Sequence, residues 1–248
     1  IVSFGLLGAL YAMVVNQSVI FFVTLAFVVK SSWFKFEYFK QNVDKESLIK
    51  LGKYAAMALT SALTVPVSHL IVRNYIGENL SWEDAGYWQG IWYISSMYLM
   101  VVTTSLSIYY LPRLSELTDN REIKKEILNG YKIILPIVSV LALGIFTVRE
   151  LVIEIAFTEK FMPMLELFKW QLIGDVIKIA SWLLAYVMLA KAMTKVFIYT
   201  EIGFSILFVL LAKVFIDNFG LVGITYAFSL NSLLYLTMMI LIFKKRLR

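Results

Sequence analysis

The chain has 248 residues, 60% of them hydrophobic and 16% charged, with a mean hydropathy of +0.78, a balance that excludes an ordinary soluble fold and indicates a membrane protein. The net charge of +6 does not argue for nucleic acid, because the Lys and Arg residues are divided among loops rather than gathered on one soluble face. With no cysteine and the single histidine His69, a disulfide framework and a cysteine-ligated metal site are excluded, a histidine-based site is disfavoured, and no cofactor is expected.

A helix that crosses a bilayer needs about 20 mainly apolar residues, because it must satisfy its own backbone where there is no water. Residues 4–29 carry no Asp, Glu, Lys or Arg and form the first span. Ile1 opens directly into that run, with no charged leader and no cleavage site, which reads as a fragment whose N-terminal part is missing. Residues 30–53 are polar, with Trp33, Phe34, Phe36, Tyr38 and Phe39 interleaved with Lys35, Glu37 and Lys40, as in a linker lying on the membrane surface. Within the linker, Asp44 is placed to cap a helix that runs through Leu48, Ile49 and Leu51 into the second span.

Residues 54–72 and 85–112 are again free of these charges and give the second and third spans. Asp119 and Glu122 have capping-box spacing. Residues 133–148 make a shorter fourth span, lengthened by Lys132 and Arg149, which can snorkel from its ends. Residues 165–190 and 194–216 are apolar but carry Lys169, Asp175, Lys178, Glu201 and Lys213, and residues 218–243 complete seven spans. Pro66 and Pro136 are expected to kink their helices locally.

Seven spans place loops on alternating sides. One set, residues 30–53, 112–132, 191–195 and 244–248, holds 17 of the 23 Lys and Arg residues. The positive-inside rule puts this set, and the C-terminus, in the cytoplasm.

An Asp or Lys at the centre of a membrane helix costs roughly 2.5–3.5 kcal/mol on the insertion scale, so it needs a partner or a wet cavity. Gln171, Asp175, Lys178 and Trp182 follow at steps of four, three and four and share one helix face. Two readings stand: a polar stripe facing a cavity, with Lys178 on substrate phosphate or sugar, and a self-neutralising Asp175–Lys178 pair. Glu201, beside Thr200 and Ser205, is read either as a proton relay together with Asp175 or as an interfacial carboxylate. His69 and Arg73, four apart, are expected to point the same way, with Arg73 suited to a diphosphate or to lipid headgroups. Gln89, Tyr93, Ser96, Thr103 and Ser107 recur at helical spacing as an uncharged hydrogen-bonding stripe, and Gly86 and Gly90 form a GxxxG. No nucleophile triad and no phosphate-cradling glycine loop is present, which favours transport over catalysis.

Three strings go further. Leu80-Ser81-Trp82-Glu83 with Gly86 and Trp88-Gln89-Gly90, then Ser107-Ile108-Tyr109-Tyr110-Leu111-Pro112-Arg113-Leu114-Ser115, and Leu167-Phe168-Lys169-Trp170-Gln171-Leu172-Ile173-Gly174-Asp175-Val176-Ile177-Lys178 followed by Ala190-Lys191-Ala192, resemble the lipid III and O-antigen flippases. These belong to the multidrug/oligosaccharidyl-lipid/polysaccharide exporter superfamily. The resemblance implies an all-α, polytopic transmembrane bundle, the C-terminal lobe of a two-lobe, twelve-span transporter in the bacterial inner membrane. Residues 1–29 would be the last helix of the first lobe, residues 30–53 the inter-lobe linker and residues 54–248 the second lobe. It implies the flipping of an undecaprenyl-diphosphate-linked oligosaccharide to the periplasmic leaflet, with membrane lipid, a polysaccharide polymerase and a chain-length regulator as partners. Arg73, Gln89, Gln171, Asp175 and Lys178 are carried over as substrate contacts, whereas His69 matches no motif. The alternatives are a drug/cation antiporter of the same superfamily, disfavoured by basic Lys178 and Arg73, and a membrane scaffold whose charges only need to pair.

Overall fold

The computed structural model describes residues 5–35, 37 and 44–246, and every regular element among them is helical. Seven of the described stretches are long and apolar enough to cross a membrane, and the chain is a polytopic helical membrane protein. Two compact units are distinguished, residues 1–49 and 50–248. The first contains α1 (Gly5–Lys30), mainly apolar and free of charged residues until Lys30. Phe36, Tyr38, Phe39 and Lys40, which carry most of the surface-linker expectation, lie outside the described residues.

α2 (Lys45–Asn79) is one continuous helix. It starts where Asp44 predicts: the Asp44 carboxylate accepts the Ser47 backbone N–H at 3.1 Å, and that bond lowers its pKa. Ser81 then opens α3 (Trp82–Ser105). Its hydroxyl accepts the Asp84 backbone N–H at 3.0 Å and donates to the Asp84 carboxylate at 2.6 Å, closing the hairpin.

The third span continues through a π-helical turn (Leu106–Tyr110) into α4 (Leu111–Glu116). Pro112 has no N–H to offer the preceding turn, and the widened turn, closed by the Leu111 N–H on the Leu106 carbonyl, accommodates it. α5 (Asn120–Thr147) is capped by Asp119, which accepts the Arg121 N–H at 3.2 Å. It begins 13 residues before the apolar run at 133, because polar residues 120–132 continue the same helix. Pro66 and Pro136 lie inside α2 and α5, neither of which is interrupted. A short helix, α6 (Arg149–Ala156), and a 3₁₀ segment (Glu159–Leu167) lead into α7 (Phe168–Ala190), then α8 (Thr194–Phe219) and α9 (Val222–Arg246).

α7 is the centre of the second unit. In the apolar window of its span 61% of the residues are buried, against 33% or fewer in each of the others, so Asp175 and Lys178 lie among protein side chains, while Lys169 at the start of the helix is exposed. Two apolar clusters flank its length. One gathers Leu106, Leu114, Leu183 and Met188, and the other Ile76, Ile91, Phe168 and Ile224. Tyr98 and Val176 border both. The polar residues of α7 lie in the layer between the clusters.

An intramembrane polar site around α7

The glycine before Asp175 sets the local packing. A Cβ at Gly174 would lie 2.5 Å from the Phe228 ring, so only a glycine lets α9 approach this closely. Beside it the Ser229 hydroxyl donates to the Trp170 carbonyl at 2.5 Å and fixes the register of α9 against α7. Phe228 is thereby placed where its ring centroid is 5.4 Å from the Lys178 ammonium, with Trp182 at 5.1 Å on the same cation.

Asp175 is buried, with 1% exposure, and its carboxylate is held by neutral donors. Ser95 Oγ donates to Oδ2 at 2.6 Å, Tyr98 OH to the same oxygen at 2.9 Å, and Gln171 Nε2 to Oδ1 at 3.3 Å. These bonds offset the cost of removing a carboxylate from water. Of the two readings of this face, the direct Asp175–Lys178 pair is not made here: no ion pair among the described residues includes Lys178. The shared face of Gln171, Asp175, Lys178 and Trp182 therefore divides into two, Gln171 and Asp175 turning to α3 and Lys178 and Trp182 to a cavity.

That cavity is about 120 Å³ and lies between α2, α7, α8 and α9. Lys178, Trp182 and Ser181 line it from α7, Glu201 and Ser205 from α8, and Asn231 and Tyr235 from α9. His69 closes it from α2, stacked on Trp88 with centroids 5.2 Å apart and edge-on to Trp92 at 4.8 Å. Among the described residues Glu201 accepts one weak hydrogen bond, from Ser61 Oγ at 3.5 Å, and the buried Asn231 Oδ1 has no partner. The site thus combines one cation, one carboxylate and an open acceptor in an apolar surround, the composition of a site for a polar ligand.

Other expected contacts lie elsewhere. Arg73 is exposed although His69 faces the cavity, so the two do not point the same way: a long side chain one turn nearer the helix end reaches outward. Gln89 is half-buried and does not line the cavity. On α3 the expected stripe lies on the side turned away from Asp175. Tyr93, Ser96 and Ser107 are exposed, while Ser95 and Tyr98 face α7. Of the GxxxG, Gly90 gives room to Met164 of the 3₁₀ segment, and nothing approaches Gly86. The α9 residues were not anticipated, although Thr225, Ser229 and Ser232, all buried, recur at helical spacing in an apolar span and mark its inner face.

Comparison with known proteins agrees with this architecture. A family model described as polysaccharide biosynthesis protein matches residues 2–166. Proteins named lipid III flippase from Escherichia coli (strain K12) and Shigella flexneri are each 30% identical over 234 residues, 94% of this chain and 56% of theirs. The chain therefore spans little more than half the length of these curated relatives. The crystal structure of the Vibrio cholerae MATE transporter VcmN in the bent form superposes with a TM-score of 0.62 at 17% identity, over 79% of this chain and 45% of that one, which establishes the likeness of fold. By the match across residues 2–166, in a chain with seven helices long and apolar enough to cross a membrane among its described residues, it belongs to the polysaccharide biosynthesis protein family.

Proposed function

We propose that the chain is part of a flippase of the bacterial inner membrane, moving an undecaprenyl-diphosphate-linked oligosaccharide from the cytoplasmic to the periplasmic leaflet by alternating access. The observation that carries the reading is the polar cavity around Lys178, which has no catalytic constellation beside it and which lies in a chain 30% identical to proteins named for flipping a lipid. Residues 54–248 would form the second of two lobes and residues 30–53 the connection between them.

In this reading Lys178 supplies the charge for the cargo's phosphate or sugar, one helical turn from Asp175, which Ser95, Tyr98 and Gln171 hold in place. Gln171 contributes an amide to the same layer. Arg73 and Gln89, outside the cavity, serve the cargo's path along the outer part of the lobe. Asp175 and Glu201 are the carboxylates available to couple movement to a proton gradient.

The test uses the full-length protein in vesicles with a fluorescent polyprenyl-diphosphate-linked sugar. Lys178→Ala is expected to slow its passage between leaflets at least about tenfold, as for loss of a charge-assisted contact. Rates unchanged by both Lys178→Ala and Arg73→Ala would remove both from the cargo path.

A further inference from the structure

Besides His69, the basic Lys178 and the acidic Glu201 are the titratable groups of opposite charge that line the cavity, and among the described residues neither has a counter-charge in contact. Among the described residues no carboxylate oxygen lies within 4.0 Å of the Lys178 ammonium, which rests over the rings of Trp182 and Phe228. Among the described residues Glu201 has only the 3.5 Å hydrogen bond from Ser61. Asp175, although nearer to Lys178 along α7, is already supplied with three donors and does not line the cavity. Lys178 senses the charge of Asp175 and, across the cavity, that of Glu201.

The space between them measures about 120 Å³ and includes the unpartnered Asn231 Oδ1. At about 30 Å³ per water this holds about four molecules, and water is a ligand of that size that can donate to Glu201 and Asn231 and accept from Lys178 together. A lysine has a long flexible stem, so direct contact with Glu201 needs rotation of that stem and expulsion of the water, not refolding of a helix.

We propose that Lys178 and Glu201 form a cross-helix switch: held apart on facing sides of the cavity in the conformation described here, and in direct contact, with the cavity closed, in a second conformation. The pair gives α7 and α8 two discrete arrangements, the kind of element an alternating transporter requires. Where the flippase reading holds, Glu201 is also the counter-charge that cargo phosphate displaces from Lys178; the pairing itself does not depend on that reading.

The test therefore needs no cargo. In the intact protein in detergent, Lys178→Met and Glu201→Gln are each expected to lower Tm by about 3 °C or more, and the double variant is expected to lie no lower than either single one. Lys178→Met with Asp175→Asn should couple less strongly, because Asp175 keeps its three neutral donors whichever residue stands at 178. In membranes, Ser205→Cys, a cavity position in a chain without native cysteine, should react with a thiol reagent at least about threefold faster when Glu201→Gln is added, a shift of about 0.65 kcal/mol or more in the closing equilibrium. Additive Tm shifts for Lys178 and Glu201, rescue by Asp175→Asn instead, or unchanged reactivity at Ser205→Cys would each overturn the proposal. Inability of the protein to move a lipid-linked sugar would leave these readouts intact and overturn only the flippase reading.

Discussion

At the residue scale the site turns on which hydroxyls reach Asp175. Ser95 and Ser96 are neighbours in sequence with opposite fates: Ser95 Oγ bonds Asp175, whereas exposed Ser96 bonds back to the Trp92 carbonyl of its own helix. The same holds for Tyr98 against Tyr93. Tyr98→Phe removes a donor from a buried carboxylate and is expected to cost about 1–2 kcal/mol of stability. Tyr93→Phe, on the exposed side, should change it by less than about 0.5 kcal/mol. Denaturation of the purified protein in detergent compares the two, and equal costs would mean that the inner face of α3 is wrongly assigned. Hydropathy could not make this distinction, because on an uncharged helix several phases of small polar residues are equally compatible with helical spacing. Lys178 and Asp175 illustrate the same limit. Their three-residue spacing permits a pair, but the three neutral donors on Asp175 come from its own helix and from residues about 80 positions away in sequence.

At the scale of elements, the strings that carry the family resemblance have structural work as well. In Leu80-Ser81-Trp82-Glu83, Ser81 caps α3 and the Trp82 ring lies over Gly77 at the end of α2, so that a Cβ there would be 2.7 Å from Trp82 Cε3. Gly77→Ala is expected to cost about 1 kcal/mol through this overlap. In a Trp82→Ala background the same change should cost almost nothing, because the atom it meets is gone, and thermal melts of the four proteins of that cycle provide the check. In Ala190-Lys191-Ala192, the Lys191 ammonium donates to the Ser115 carbonyl at 3.3 Å and to that of Leu117, at the C-terminal end of α4. A cation on the free carbonyls of a helix end is favourable, and here it ties the α7–α8 turn to the loop before α5. Ala192 takes φ +48°, which turns the chain sharply between the two helices. These clasps explain why short strings far apart in sequence belong together.

For the whole molecule, the uneven distribution of Lys and Arg makes a prediction about orientation. Cysteines introduced singly at Lys124 and Lys195, both exposed, should react with a membrane-impermeant thiol reagent only from the cytoplasmic side, and one at exposed Glu83 only from the periplasmic side. The absence of native cysteine makes the labelling direct, and the opposite pattern would invert the topology. Sequence alone determined the seven spans, the caps at Asp44 and Asp119 and the importance of the charges on α7, because bilayer thickness, backbone satisfaction and the cost of an intramembrane charge act on local composition. Tertiary structure alone decided which charges meet. It placed Asp175 with Ser95 and Tyr98, brought Glu201 and Asn231 to the cavity of Lys178, and left Arg73 outside it. Side-chain partners depend on helix rotation and close packing among helices distant in sequence, and between helices equally apolar on most faces those are set by shape, such as the missing Cβ of Gly174, rather than by hydrophobicity.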